Sequence, residues 1–127
     1  MVNRKEGMRC FETTGLYGIT ASQKSLGRSN ETVVREMLDN GIRVIQYREK
    51  EKTGRERYEE CLKLRRMASD YKAVFIVDDF VDLAMAVDAD GVHIGQEDLP
   101  ARVVRALLGP EKIIGLSTHS PEEYENA

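Results

Sequence analysis

The sequence is poor in cysteine, has no long apolar run, and carries no excess of either charge. Its two cysteines, Cys10 and Cys61, lie far apart and fit no metal-ligand spacing, so reduced thiols in a cytoplasmic protein are expected. No apolar stretch approaches the roughly 18 to 20 residues that a membrane span requires. Lys plus Arg number 19 against 22 for Asp plus Glu, a formal net charge of −3. That balance argues against a nucleic-acid binder that relies on bulk positive charge. The opening residues, Met1 to Cys10, are basic but lack a following apolar stretch, so no secretory signal is expected. Also missing are a P-loop, a nucleophile elbow and a Cys/His metal cluster. The run Gly91-Val92-His93-Ile94-Gly95 lacks the glycine spacing of a dinucleotide fingerprint.

What is present is a regular alternation. With 127 residues, 41% apolar and 32% charged, the chain reads as one folded domain. Residues 1–14 show no period and read as an irregular leader, with a domain over 15–127. Short apolar runs are expected to be strands: Leu16–Thr20, Arg43–Tyr47, Val74–Val77, Gly91–Gly95 and Ile113–Ser117. Longer amphipathic segments predict helices over about 30–40 and 55–71, a short one through Leu83, Ala84 and Val87, and one over about 100–108. Alternating β and α units predict an α/β fold with a parallel sheet. Ser120, Pro121 and Glu123 begin a further capped helix about two turns before Ala127.

Ligands of such sheets sit at the carboxyl ends of the strands, which directs attention to the residues following each apolar run. After the second strand come Gln46, Arg48 and Lys50, which share one face by the period of two. Two cations and an amide suit a phosphate or diphosphate, although a solvated charged loop has the same letters. Asp78 and Asp79 follow the third strand, and Gln96, Glu97 and Asp98 follow the fourth. Adjacent strands lie about 4.8 Å apart, so carboxylates at neighbouring tips can share a cation, with Mg²⁺ the best match. Asp79 and Asp98 are equally placed to cap the third and fourth helices. Ser117 and its neighbours after the fifth strand offer an anion site. His93 reads as a buried, hydrogen-bonded histidine. Cys61 reads as core, and Tyr47 as packed beneath a helix.

The runs Leu16–Thr20, Ile45–Lys50, Phe75–Asp79, Ala89–Pro100 and Gly115–Ser120, in this order, resemble thiamine-phosphate synthase, also called thiamine-phosphate pyrophosphorylase. The resemblance extends over 16–127, and Ala89–Pro100 is its most specific part. It implies a triosephosphate-isomerase-type (β/α) barrel, here reduced to about five N-terminal βα units. The implied reaction couples hydroxymethylpyrimidine diphosphate to thiazole phosphate and releases pyrophosphate. The resemblance further implies that Gln46, Arg48 and Lys50 contact the diphosphate substrate, that Asp79 and Asp98 hold Mg²⁺, and that Ser117 lies near the leaving pyrophosphate. Asp78 stands beside them where the family has Asn. At about half the roughly 250 residues of a full barrel, the chain is expected to lack the sixth to eighth strands with their phosphate-binding loops. Weak or no turnover alone, an uncovered barrel-facing surface, and a homo-oligomer or a complementing C-terminal chain are then expected. Two other readings stay open: a non-catalytic half-barrel that binds a phosphorylated ligand or a partner chain, and a protein like thiazole tautomerase. The intact acid run Gly95–Asp98 speaks against the second.

Overall fold

The computed structural model of the chain describes residues 18–20 and 27–117. The expectations that concern the leader, Cys10 and the helix start at Ser120 lie outside these residues.

Among the described residues nine elements follow in strict alternation: β1 (Gly18–Ile19), α1 (Asn30–Asp39), β2 (Val44–Tyr47), α2 (Gly54–Asp70), β3 (Val74–Asp78), α3 (Val81–Ala86), β4 (Gly91–Ile94), α4 (Ala101–Leu108) and β5 (Ile113–Leu116). The five strands form one sheet in sequence order, and every pairing is parallel. This is the sheet that consecutive βα units build when each helix returns the chain to the next strand.

Local sequence explains the boundaries. The Ser29 side chain accepts from the Thr32 amide and opens α1. At α2 a reciprocal capping box joins Thr53 and Glu56. On the inward face of α2 Cys61, Leu64 and Met67 are buried, whereas Tyr58 is 42% exposed. Arg65 turns inward on that face instead, because Asp90 stands opposite as its partner.

The sheet's two faces differ. Ile45, Tyr47, Phe75, Val77, Val92 and Ile94 point toward the helices and join Val34, Leu38, Cys61 and Leu64 in the main core. Val44, Val74, Ile76 and Ile113 face the other way and form a second, smaller cluster. All four are buried, so the uncovered apolar surface expected on this face is not seen at these positions. β3 is buried along its whole length, as a central parallel strand requires. Gly91 allows β4 and β5 to close up: a Cβ there would lie 2.2 Å from the Ile113 carbonyl oxygen. The second face is therefore apolar low down and polar at the strands' carboxyl ends, where Gln46, Asp78, His93 and Ser117 lie.

Candidate functional site

The pleat sets the site. Past the end of β2 the inside–outside alternation continues: Tyr47 and Glu49 are buried, Gln46 is half-buried, and Arg48 and Lys50 are exposed. Gln46, Arg48 and Lys50 thus share a face, as expected. The Arg48 amide donates to Thr20 Oγ1 at 2.9 Å, and the Thr20 amide donates to the Gln46 carbonyl at 3.0 Å. Thr20 is fully buried and moors the basic tip to the first strand.

The acidic tip of β3 meets this basic tip directly. Gln46 Nε2 donates to Asp78 Oδ1 at 2.9 Å, and Arg48 Nε lies 3.6 Å from Asp78 Oδ2. Lys50 Nζ lies 3.5 Å from Asp79 Oδ2. Burial first, and then the charge of Asp79, push the Asp78 carboxyl above its ordinary range; His93, Arg48 and Gln46 pull the other way. Asp79 does not cap α3. The N-cap there is Phe80, with no side-chain bond, and Asp79 takes a left-handed backbone with φ of 70°. Aspartate tolerates that conformation better than most residues, and such backbones concentrate at functional sites. Asp98 does not cap α4 either, since Pro100 holds that position without a side-chain bond. Its Oδ2 accepts from the Gly95 amide at 2.6 Å, which turns the carboxylate back over the end of β4. Both capping alternatives therefore fail for a geometric reason: the N-cap position of each helix lies one or two residues beyond the acid.

Ser117 and His93 form the other side. His93 Nε2 and Ser117 Oγ are 2.7 Å apart, across a register that pairs His93 with Gly115. Glycine is needed there because a Cβ at 115 would lie 2.5 Å from His93 Nδ1. Gln96 Nε2 donates to the Ser117 carbonyl at 2.9 Å and ties the two tips together. Gly115→Ala is expected to cost about 1–3 kcal/mol in urea unfolding through overpacking. The double variant with His93→Ala should lie closer to wild type than the sum of the single effects, because the clashing ring is gone.

Behind the tips lies a polar group that the sequence did not announce. Asn30 Nδ2 donates to Glu49 Oε1 at 2.9 Å and Glu60 Oε1 at 3.0 Å, and the Tyr47 hydroxyl donates to Glu60 Oε1 at 2.6 Å. Burial, then this bond to Glu60, push the Tyr47 phenol far above its ordinary range. Burial likewise raises the Cys61 thiol, which is core, as expected. A cavity of about 240 Å³ lies between α2 and α3, lined by Gly54, Arg57, Tyr58, Phe80, Asp82, Leu83 and Ala86. It holds none of the strand-tip residues singled out from the sequence. Among the described residues, no group of three His, Cys, Asp or Glu side chains gathers to hold a metal, and no helix is long and apolar enough to cross a membrane.

Comparison with known proteins agrees with this geometry. The family profile described as "Thiamine monophosphate synthase" matches residues 16–127. The thiamine-phosphate synthase of Pelotomaculum thermopropionicum is 58% identical over 124 residues, which cover 98% of this chain and 57% of that protein. That of Caldicellulosiruptor saccharolyticus is 50% identical over 126 residues, covering 99% of this chain and 57% of the relative. Among solved structures, the thiamine phosphate pyrophosphorylase of Pyrococcus furiosus superposes with a TM-score of 0.77 at 44% identity, over 84% of this chain and 51% of that one. The chain thus spans little more than half the length of the curated relatives it matches, and its parallel five-stranded sheet is that of a partial (β/α) barrel. By profile, relatives and fold together, the chain belongs to the thiamine monophosphate synthase family and corresponds to the N-terminal part of its full-length members.

Proposed function

We propose that the strand tips hold the diphosphate half of a thiamine-phosphate synthase site. Arg48 and Lys50 bind the diphosphate oxygens, with Gln46 alongside and Ser117 donating a hydrogen bond from the other side. The observation that carries this reading is the convergence of Gln46, Arg48, Lys50, Asp78 and Asp79 at two adjacent strand ends, linked by contacts of 2.9 to 3.6 Å.

The donor set fits Mg²⁺. That ion is commonly held by one or two carboxylates together with waters and substrate phosphates, and it needs no closed protein cage. Asp79 and Asp98 would hold it from neighbouring tips. When bound, Mg²⁺ supplies positive charge against the leaving diphosphate. The protein does the rest by binding and orientation. The bond between the pyrimidine methylene carbon and the diphosphate oxygen breaks, and the electron pair leaves with the diphosphate, where Arg48 and Lys50 offset it. The thiazole nitrogen then gives its lone pair to the methylene carbon, and pyrophosphate is released. No side-chain nucleophile is required. The reading places the reaction in the cytoplasm. It also takes β1 and β5, the edges among the described strands, as the places where a second copy or a complementing chain docks.

Calorimetric titration of the chain with inorganic pyrophosphate and Mg²⁺ tests the site. Wild type should bind, and Asp79→Ala and Asp98→Ala should each weaken binding about tenfold or more. No binding by wild type, or wild-type affinity in both variants, overturns the proposal.

A further inference from the structure

Arg57 lies in the first turn of α2, outside the residues that face the ligand, yet it touches both strand tips. Its Nε donates to the Glu49 carbonyl at 2.6 Å, and its Nη2 to the Lys50 carbonyl at 2.6 Å. Its guanidinium carbon lies 4.0 Å from the centre of the Phe80 ring, and Phe80 directly follows Asp79. One planar group therefore grips the backbone of the basic tip with two hydrogen bonds and stacks on the residue after the acidic tip.

The basic tip needs such a hold. Lys50 is beyond the end of β2, where no ladder bond fixes the chain. The Glu49 side chain is drawn back by Asn30, and the Arg48 amide is held by Thr20. Arg57 supplies a further restraint, at the carbonyls of Glu49 and Lys50 on either side of the Lys50 Cα. Because its ring partner belongs to the next strand's tip, it also fixes how far Lys50 stands from Asp79, a separation of 3.5 Å. Lysine cannot reproduce this. It has no planar fork to serve two carbonyls and an aromatic face together.

We infer that Arg57 is a positioning residue, a clamp that locks the Arg48–Lys50 tip to the Asp79 tip so that cationic and acidic groups meet the diphosphate in fixed register. The inference rests on the diphosphate reading above for its ligand, but not for its mechanical part. Two measurements on the full chain separate them. The first is amide hydrogen exchange of wild type, Arg57→Lys, Arg57→Gln and the control Arg55→Gln, an exposed position in the same turn. Arg57→Gln should speed exchange both in 48–52 and in 79–81, Arg57→Lys less so, and Arg55→Gln in neither. The second is titration with Mg²⁺ and inorganic pyrophosphate at matched thermal midpoints. Arg57→Gln should bind about tenfold more weakly, with partial rescue by Arg57→Lys. Unchanged exchange in either segment overturns the clamp, as does faster exchange with wild-type affinity. If wild type binds no pyrophosphate, the diphosphate reading falls, and the exchange data alone decide for or against the clamp.

Discussion

Asp90→Ala is expected to lower the free energy of unfolding by about 3–5 kcal/mol, the cost of breaking a buried ion pair from one side. Asp90 sits just before β4, and its carboxylate serves three donors. Its two oxygens lie 3.2 Å from Nη1 and Nη2 of Arg65, and Oδ2 also accepts from the Phe75 amide at 2.8 Å. The pair is nearly dry, with side-chain exposures of 8% for Arg65 and 2% for Asp90. Alanine would strand a guanidinium in the core with one remaining bond, from Nε to the Asp88 carbonyl at 2.9 Å, and leave the Phe75 amide unpaired. A domain of this size has about 5–15 kcal/mol in all, so the variant should be marginal at 25 °C. Urea unfolding measures it. Arg65→Met with Asp90→Ala should cost clearly less than the two single changes summed, because removing both partners leaves no bare charge. Additive effects would sink the argument.

The same carboxylate has a pH signature. Burial raises its pKa, and the Phe75 amide and Arg65 oppose the rise without cancelling it. A carboxyl raised in the folded state holds its proton more tightly there than in the unfolded chain. Its stabilising contribution is complete below the unfolded pKa and declines as pH rises through the folded value. Asp90→Asn should therefore remove one acidic-side slope from the stability profile.

Period-two alternation made the sheet and half of the site legible. It placed Gln46, Arg48 and Lys50 on one face, and the burial of Tyr47 and Glu49 between them follows from the same rule. The α/β reading needed only the alternation of apolar and amphipathic runs. Caps were harder, because an acid just before a helix has the same letters whether it bonds the helix amides or faces a ligand. Asp79 and Asp98 show the ambiguity: the structure excludes capping by where α3 and α4 begin, which local sequence places poorly. Arg57 was invisible for another reason. In sequence it is one more charge on a charged helix, and its partners are backbone carbonyls seven and eight residues back and a ring on the next strand's tip. The His93–Ser117 pair spans 24 residues and exists only through the β4–β5 register. A signal was present: Gly115, two before Ser117, is the space that a side chain on the neighbouring strand needs.

Asp78→Asn is expected to tighten Mg²⁺-pyrophosphate binding about tenfold, an effect of electrostatics with little change in shape. The family resemblance places Asn at this position, so this chain carries one more negative charge beside the proposed anion. Asn keeps an oxygen for the bond from Gln46 Nε2, now 2.9 Å to Oδ1. It loses the ion pair with Arg48, whose Nε lies 3.6 Å away, and so leaves that guanidinium to the ligand. Two unit charges at a separation of about 8 Å and an effective dielectric near 20 interact by roughly 2 kcal/mol. Solvent screening around the exposed Arg48 and Lys50 reduces this to about a tenfold gain. Stability should move in the same direction. Burial and Asp79 hold the Asp78 pKa above its ordinary value, so wild type is stabilised by this group only at low pH and loses that contribution as pH rises through the folded pKa. The variant lacks the titration. Its thermal midpoint should match wild type in acid and exceed it at neutral pH. Comparing the two proteins at each pH cancels the ligand's own protonation. Weaker pyrophosphate binding by Asp78→Asn would show that the carboxylate helps to hold the ligand or its metal rather than repelling the anion, and parallel stability profiles would overturn the raised Asp78 carboxyl.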